Sequence, residues 1–123
     1  MKVLLPIHPK YVKKIFSGVK RFEYRKSIFG KPVKTVLIYA TSPVCRVVGE
    51  FDINYWTVDD VERLWKFSRM DSGMAKNDYD SYFKSQDLAC AMRIGRVIKY
   101  DVPKKLGDYG IVHAPQSYCY VEN

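Results

Sequence analysis

Three long runs of β-branched and aromatic residues do most to limit what this chain can fold into. They are VKTVLIYAT (33–41), CRVVGEFDINYW (45–56) and LACAMRIGRVIKY (88–100). Such residues suit a pleated, half-buried surface, and the Ser42-Pro43-Val44 break separates the first two runs. The runs lack regular βαβ spacing, so the pattern favours a curled antiparallel or mixed sheet, or a barrel, over a parallel βαβ array. Shorter stretches at 2–5 (KVLL), 20–26 (KRFEYRK) and 114–121 (APQSYCYV) read as further strands, which brings the expected total to five or six. Gly49 reads as a bulge or a close approach, and Gly95 as a bend.

Helices are expected in three places. HPKYVKKIFSG has Pro9 at the first helical position and Gly18 as its stop. Val12, Ile15 and Phe16 form its apolar stripe, while Lys10, Lys13 and Lys14 face out. Thr57 is the expected cap of a second helix opened by Asp59 and Asp60, with Val61, Leu64 and Trp65 buried. A third covers roughly 75–84 and buries Ala75, Tyr79, Tyr82 and Phe83. With 123 residues the expectation is one α+β domain over 1–123.

Charge is unevenly distributed. Residues 1–50 hold 11 Lys/Arg against 2 acids, Glu23 and Glu50, whereas residues 51–123 hold 10 against 11. The net charge of +8 therefore comes from the first two-fifths of the chain. A concentrated basic region points to a phosphate-rich partner such as RNA or a nucleotide. The alternative is a solvated face with no partner.

Other classes are disfavoured. Cys45, Cys90 and Cys119 are odd in number and far apart, and His8 and His113 are isolated. No zinc site or other metal or cofactor is expected, and the thiols read as reduced. No apolar run approaches the length of a membrane span. The first ten residues hold too short an apolar run before Pro6 and His8 for a secretory leader. The expectation is a soluble cytoplasmic protein without a membrane partner.

Three blocks, LLPIHPKYVKKIFSGVKRFEYRK, VLIYATSPVCRVVGEF and APQSYCYV, together resemble the ASCH family, small domains with the PUA-like β-barrel fold. The family pattern G-x-K-x-x-E-x-R is matched by Gly18, Lys20, Glu23 and Arg25. The resemblance implies a barrel of five to six strands with two to three short helices. It also implies binding of RNA, a nucleotide or a modified nucleoside; a regulator that binds a small nucleotide and works through a protein partner is a further reading. Some members hydrolyse acylated pyrimidine nucleosides, and ribonuclease activity is attributed to others. In the hydrolytic members the reactive set resembles Lys, Thr and Glu. Lys20 matches the Lys, Glu23 stands where the Thr is found, and Glu50 is the candidate for the remaining carboxylate.

The residues themselves leave two readings open. A lysine in a cleft can act as base or nucleophile, or can stay charged and hold a phosphate. Glu23 and Arg25 share a face of a regular strand and can pair, leaving the Arg fork for phosphate or a base edge. Strict alternation puts Lys20 on the opposite face with Phe22 and Tyr24, which read as core. A Lys20–Glu23–Arg25 constellation therefore needs a bulge, a bend, or a Lys20 that precedes the strand. Thr41 and Ser42 form a turn able to bind an anion. Gln116, Ser117 and Tyr118 offer amide, hydroxyl and ring to a base. Lys10, Lys13 and Lys14 are candidate phosphate contacts. A binding module is the favoured reading. A hydrolase using Lys20 with Glu23 or Glu50 is the alternative.

Overall fold

The structure, a computed structural model, describes residues 1–122. Its elements in chain order are β1 (Lys2–Ile7), α1 (Pro9–Ser17), β2 (Phe22–Arg25), β3 (Thr35–Ala40), β4 (Arg46–Asp60), α2 (Val61–Ser68), α3 (Lys76–Tyr82), β5 (Leu88–Lys104) and β6 (Cys119–Val121). Short 3₁₀ turns occupy Arg69–Asp71 and Leu106–Tyr109. The architecture is α+β, with one six-stranded sheet in the order β2-β5-β4-β3-β1-β6. β1 and β3 run parallel, and the other neighbours are antiparallel.

The sheet is mixed, as the runs implied, but it is not closed into a barrel. Among the described residues β2 pairs only with β5, and β6 only with β1. The physical reason lies in their lengths. β2 has 4 residues and β6 only 3, so neither edge carries enough backbone to make a sixth, closing ladder. The expected strand over 114–121 shrinks accordingly to its last three residues.

The β4–β5 pairing is the spine of the sheet and runs from Val47↔Lys104 to Asp60↔Leu88. Its length corrects two expectations. β4 continues through Thr57 to Asp60, because Thr57 and Val58 still pair with Ala91 and Cys90. The cap of α2 is therefore Asp60, whose carboxylate accepts from Arg63 N at 2.9 Å. β5 likewise extends past Tyr100, where the run read from the sequence ends, to Lys104. On α3, Tyr79 and Phe83 are buried, but Ala75 is exposed as the residue just before the first turn.

β1 is buried on both faces, as expected of a strand between two neighbours. Val3, Leu5 and Ile7 join Val12 and Ile15 of α1 in the largest apolar cluster, while Leu4 joins Leu37, Tyr39, Val47 and Val121 on the other face. A third cluster, Phe22, Tyr24, Leu64, Tyr79, Phe83, Ala89 and Ala91, fixes α2 and α3 against β2 and β5. Phe22 and Tyr24 are thus core. No described helix is long and apolar enough to cross a membrane.

Gly49 is the close approach that the sequence suggested. A Cβ there would sit 2.4 Å from the Ile98 carbonyl oxygen and 2.8 Å from the Phe16 ring. The β4–β5 register also shifts between Val47 and Gly49. Gly49→Ala is expected to cost about 1–3 kcal/mol through overpacking. A chemical denaturation curve checks this, and a wild-type midpoint would contradict it.

Candidate functional site

The site begins with how α1 ends. Gly18 adopts the left-handed conformation (φ 84°) that closes a helix, and its amide donates to the Ile15 carbonyl. The Lys20 amide then turns back to donate to the Lys14 carbonyl at 3.0 Å, and Arg21 N donates to the Asp71 carbonyl at 2.8 Å. Regular strand geometry starts only at Phe22. Lys20 therefore precedes the strand and is free of its alternation, and its side chain reaches the same space as Glu23.

Lys20 is 2% exposed and Glu23 9%. The Lys20 ammonium donates to the Ser72 carbonyl at 2.9 Å and lies 3.9 Å from Glu23 Oε1. That second distance is an ion pair without a good hydrogen bond. The rings of Tyr11 and Tyr24 lie 5.2 and 5.0 Å from the ammonium. The Tyr24 hydroxyl is held at 2.6 Å from Ser68 Oγ, and burial pushes its pKa up to about 12. Glu23 Oε2 lies 3.9 Å from Arg25 Nη1. The Arg25 guanidinium also donates from Nη2 to Ser117 Oγ at 3.0 Å and to the Ser117 carbonyl at 3.3 Å. The chain thus joins Lys20, Glu23, Arg25 and Ser117 in one line.

Burial acts on both members of the central pair. Desolvation holds the Lys20 pKa below its ordinary value, with Glu23 opposing the shift and the Lys14 charge adding to it. Desolvation raises Glu23, against the attraction of Lys20 and Arg25. The pair is thereby moved toward sharing one proton between an amine and a carboxyl group. Such an arrangement is expensive for a fold and typical of a site.

Two adjoining cavities open onto this line. One of about 200 Å³ is lined by Lys20, Glu23, Arg25, Tyr11, Tyr24, Tyr82, Met74, His8, Pro6 and Ile7. The other, about 300 Å³, is lined by Arg25, Lys26, Ser27, Tyr82, Gln116, Ser117 and Tyr118. Arg25 and Tyr82 form the wall common to both. The second cavity lies where β2 and the segment entering β6 approach each other without pairing.

The remaining candidates lie elsewhere. Glu50 accepts from the Tyr100 hydroxyl at 2.7 Å and lines neither cavity. Thr41 and Ser42 sit in the β3–β4 turn, also outside both. Lys10 pairs with Asp78 at 3.7 Å, and Lys13 faces an apolar groove beside Phe16. Lys14 donates to the Gly73 carbonyl at 2.9 Å. Sequence reasoning missed Tyr11, His8, Met74 and Tyr82 as lining residues. Tyr11 carried a usable signal, since it stands one helical turn before Lys14 and outside the Val12–Ile15–Phe16 stripe. Among the described residues no group of three metal-ligating side chains converges.

Removing Lys20 tests the pair. In Lys20→Met, Glu23 keeps only Arg25 as a cation, so its pKa rises further. The folded state then holds a proton that the unfolded chain releases above the ordinary Glu value of 4.5. Stability must therefore fall as pH rises from acid toward neutral, more steeply than in the wild type. The variant is expected to lose about 3–5 kcal/mol at neutral pH and to recover part of it on acidification. Urea unfolding over a pH series reads both effects, and a pH-independent loss would refute the shared-proton description.

No protein-family model matches the chain. It is 29% identical over 91 residues to an ASCH domain-containing ribonuclease of Zymomonas mobilis, covering 73% of this chain and 62% of that protein. It is 28% identical over 122 residues to the large ribosomal subunit protein uL22 of Ureaplasma parvum serovar 3, and 31% identical over 121 residues to the ATP synthase subunit alpha of the same species. These matches take in 98% of this chain but only 39% and 15% of the two relatives, so the chain spans a minor part of each. The crystal structure of ASCH from Zymomonas mobilis superposes with a TM-score of 0.88 at 25% identity, covering 98% of this chain and 87% of that one. The N-terminal domain of Staphylothermus marinus McrB shares the fold at a TM-score of 0.51 and 15% identity. The ribonuclease relative and the near-complete superposition agree, and the chain resembles ASCH-domain proteins in both sequence and fold.

Proposed function

We propose that the paired cavities bind RNA or a nucleotide, with a base or modified base in the compartment of Lys20 and Glu23 and a phosphate in that of Arg25 and Lys26. The observation that carries this reading is the line Lys20–Glu23–Arg25–Ser117, which sets a donor–acceptor pair and a guanidinium fork side by side in one cleft. Glu23 and Lys20 can accept from an exocyclic amine and donate to a ring carbonyl. Arg25 offers a rigid fork to phosphate. Lys26, 5.1 Å above the Tyr82 ring, adds charge beside a stacking face. The basic first half of the chain supplies attraction at longer range. A regulatory role exercised through such a ligand, in the cytoplasm, belongs with this reading.

One observation favours a second reading. Lys20 and Glu23 are buried together and share a tendency toward the neutral pair, which is what proton transfer to or from a bound ligand requires. On this reading the cleft cleaves RNA or an acylated pyrimidine nucleoside. The ribonuclease name of the Zymomonas relative points the same way.

Titration of labelled short RNAs and of single nucleotides, followed by anisotropy at several salt concentrations, tests the binding. Arg25→Ala is expected to weaken it by about 10- to 150-fold, the loss of a charge-assisted contact worth roughly 1.5–3 kcal/mol, and to flatten the salt dependence. Absence of binding to either class overturns the proposal. The same samples, assayed for cleavage beside Lys20→Ala, decide between binding alone and turnover.

A further inference from the structure

The segment 71–74 has no place in the sheet, yet it is pinned at every residue. The Asp71 carbonyl accepts from Arg21 N at 2.8 Å, and its carboxylate lies 3.4 Å from Arg93 Nη1. The Ser72 hydroxyl closes the turn on itself, accepting from Met74 N at 3.2 Å, with the Arg69 carbonyl at 3.0 Å. The Ser72 carbonyl receives the Lys20 ammonium at 2.9 Å. Gly73 has φ +62°, and a Cβ on it would lie 2.6 Å from Lys20 Cβ and 3.0 Å from Lys20 Cα. The backbone of the segment therefore rests directly on Lys20, at a contact only glycine permits.

Lys14 holds both parties to this contact. Its carbonyl accepts from the Lys20 amide at 3.0 Å, while its ammonium reaches over to the Gly73 carbonyl at 2.9 Å. We propose that residues 71–74 are a strap that positions Lys20 in the cleft, and that Lys14 is a positioning residue that fastens it. The proposal takes from the preceding section that Lys20 is a group the ligand meets. A carbonyl at the top of the strap needs a donor, and an ammonium supplies one together with a second positive charge near Lys20. The groups facing the Lys20 ammonium are Tyr11 and Lys14 from α1, Glu23 and Tyr24 from β2, and only the Ser72 carbonyl from the strap, since the Asp71 side chain is turned to Arg93. Lys14 is the one other cation in this set, and it is engaged with protein rather than presented to a phosphate.

The test reads Lys20 itself and needs no nucleic acid. The full chain is treated with a small amine-selective acylating ester over neutral to alkaline pH, and acylation at Lys20 is quantified by peptide mass spectrometry. In Lys14→Met, the pH midpoint of Lys20 labelling is expected to rise by about one unit, because a nearby positive charge is lost and the loosened strap admits water. The plateau rate is expected to increase several-fold, and Lys14→Arg to retain the wild-type profile. Gly73→Ala is expected to act in the same direction as Lys14→Met. Gly107→Ala, where a Cβ meets nothing within 4 Å, serves as the folding control. If Gly73→Ala fails to fold, the Lys14 series alone decides. A wild-type midpoint in Lys14→Met overturns the proposal, and so does a change confined to the plateau or to thermal stability, which identifies a merely structural tie. RNA binding without Lys14-dependent labelling refutes the strap alone. Lys14-dependent labelling without RNA binding refutes the nucleic-acid reading and leaves the strap standing.

Discussion

The rest of the structure depends on a gap. The two outer strands, β2 and β6, lie at opposite ends of the sheet order and are not hydrogen-bonded to each other. An open strand edge is ordinarily a hazard, because unpaired backbone groups invite another chain. Here β2 is only 4 residues long, and side chains guard its approach to the segment before β6. Arg25 bridges to Ser117, and Phe29 packs 4.7 Å from Tyr118. The cavity lined by Arg25, Ser117 and Tyr118 is the space that a closed barrel would have filled with a ladder. That cavity and the missing closure are therefore the same feature.

Into that space the fold commits charge it can hold only at a cost. A lysine and a glutamate at low exposure, 3.9 Å apart and with one strong hydrogen bond between them and the backbone, are poorly compensated by the standards of a structural pair. The arrangement persists because its neighbours are fixed independently of it. Tyr24 is locked by Ser68 and by edge-on packing against Tyr79 and Phe83. Gly18 sets where α1 ends, and residues 71–74 are anchored through Asp71 as well as through Lys20. Apolar packing of α2 and α3 on β2 supplies the stability against which the pair is set.

How much of this was legible in the sequence follows from the range of each interaction. Strand runs, the α1 stop at Gly18 and the close approach at Gly49 are local and were readable. The G-x-K-x-x-E-x-R spacing singled out Lys20, Glu23 and Arg25, and left open which face Lys20 takes. The answer lies in the Lys20–Lys14 and Arg21–Asp71 backbone bonds, which delay the strand by two residues; the second joins positions that no periodicity connects. Thr57 looked like a cap because it precedes two aspartates, but pairing with β5 outcompeted local capping up to Asp60. Glu50 is drawn to Tyr100, its partner across the long hairpin, rather than to the cleft. Tyr82 and the strap were not legible, because they come to the Lys20 cavity from distant segments that no spacing in the sequence connects to it.

The parallel β1–β3 pair and the single partner of β6 also set an order of assembly. β1 is made first, yet one of its edges stays bare until residues 119–121 arrive to pair with Lys2, Val3 and Leu4. Gln116, Ser117 and Tyr118, which directly precede that short strand, are carried in with it. β2 likewise has no strand partner until Cys90–Arg93 of β5 arrive, so the Lys20 compartment also waits for distant sequence. The wall that completes the second compartment is delivered last, by a three-residue strand whose pairing with β1 ties the two distant ends of the sequence into one sheet.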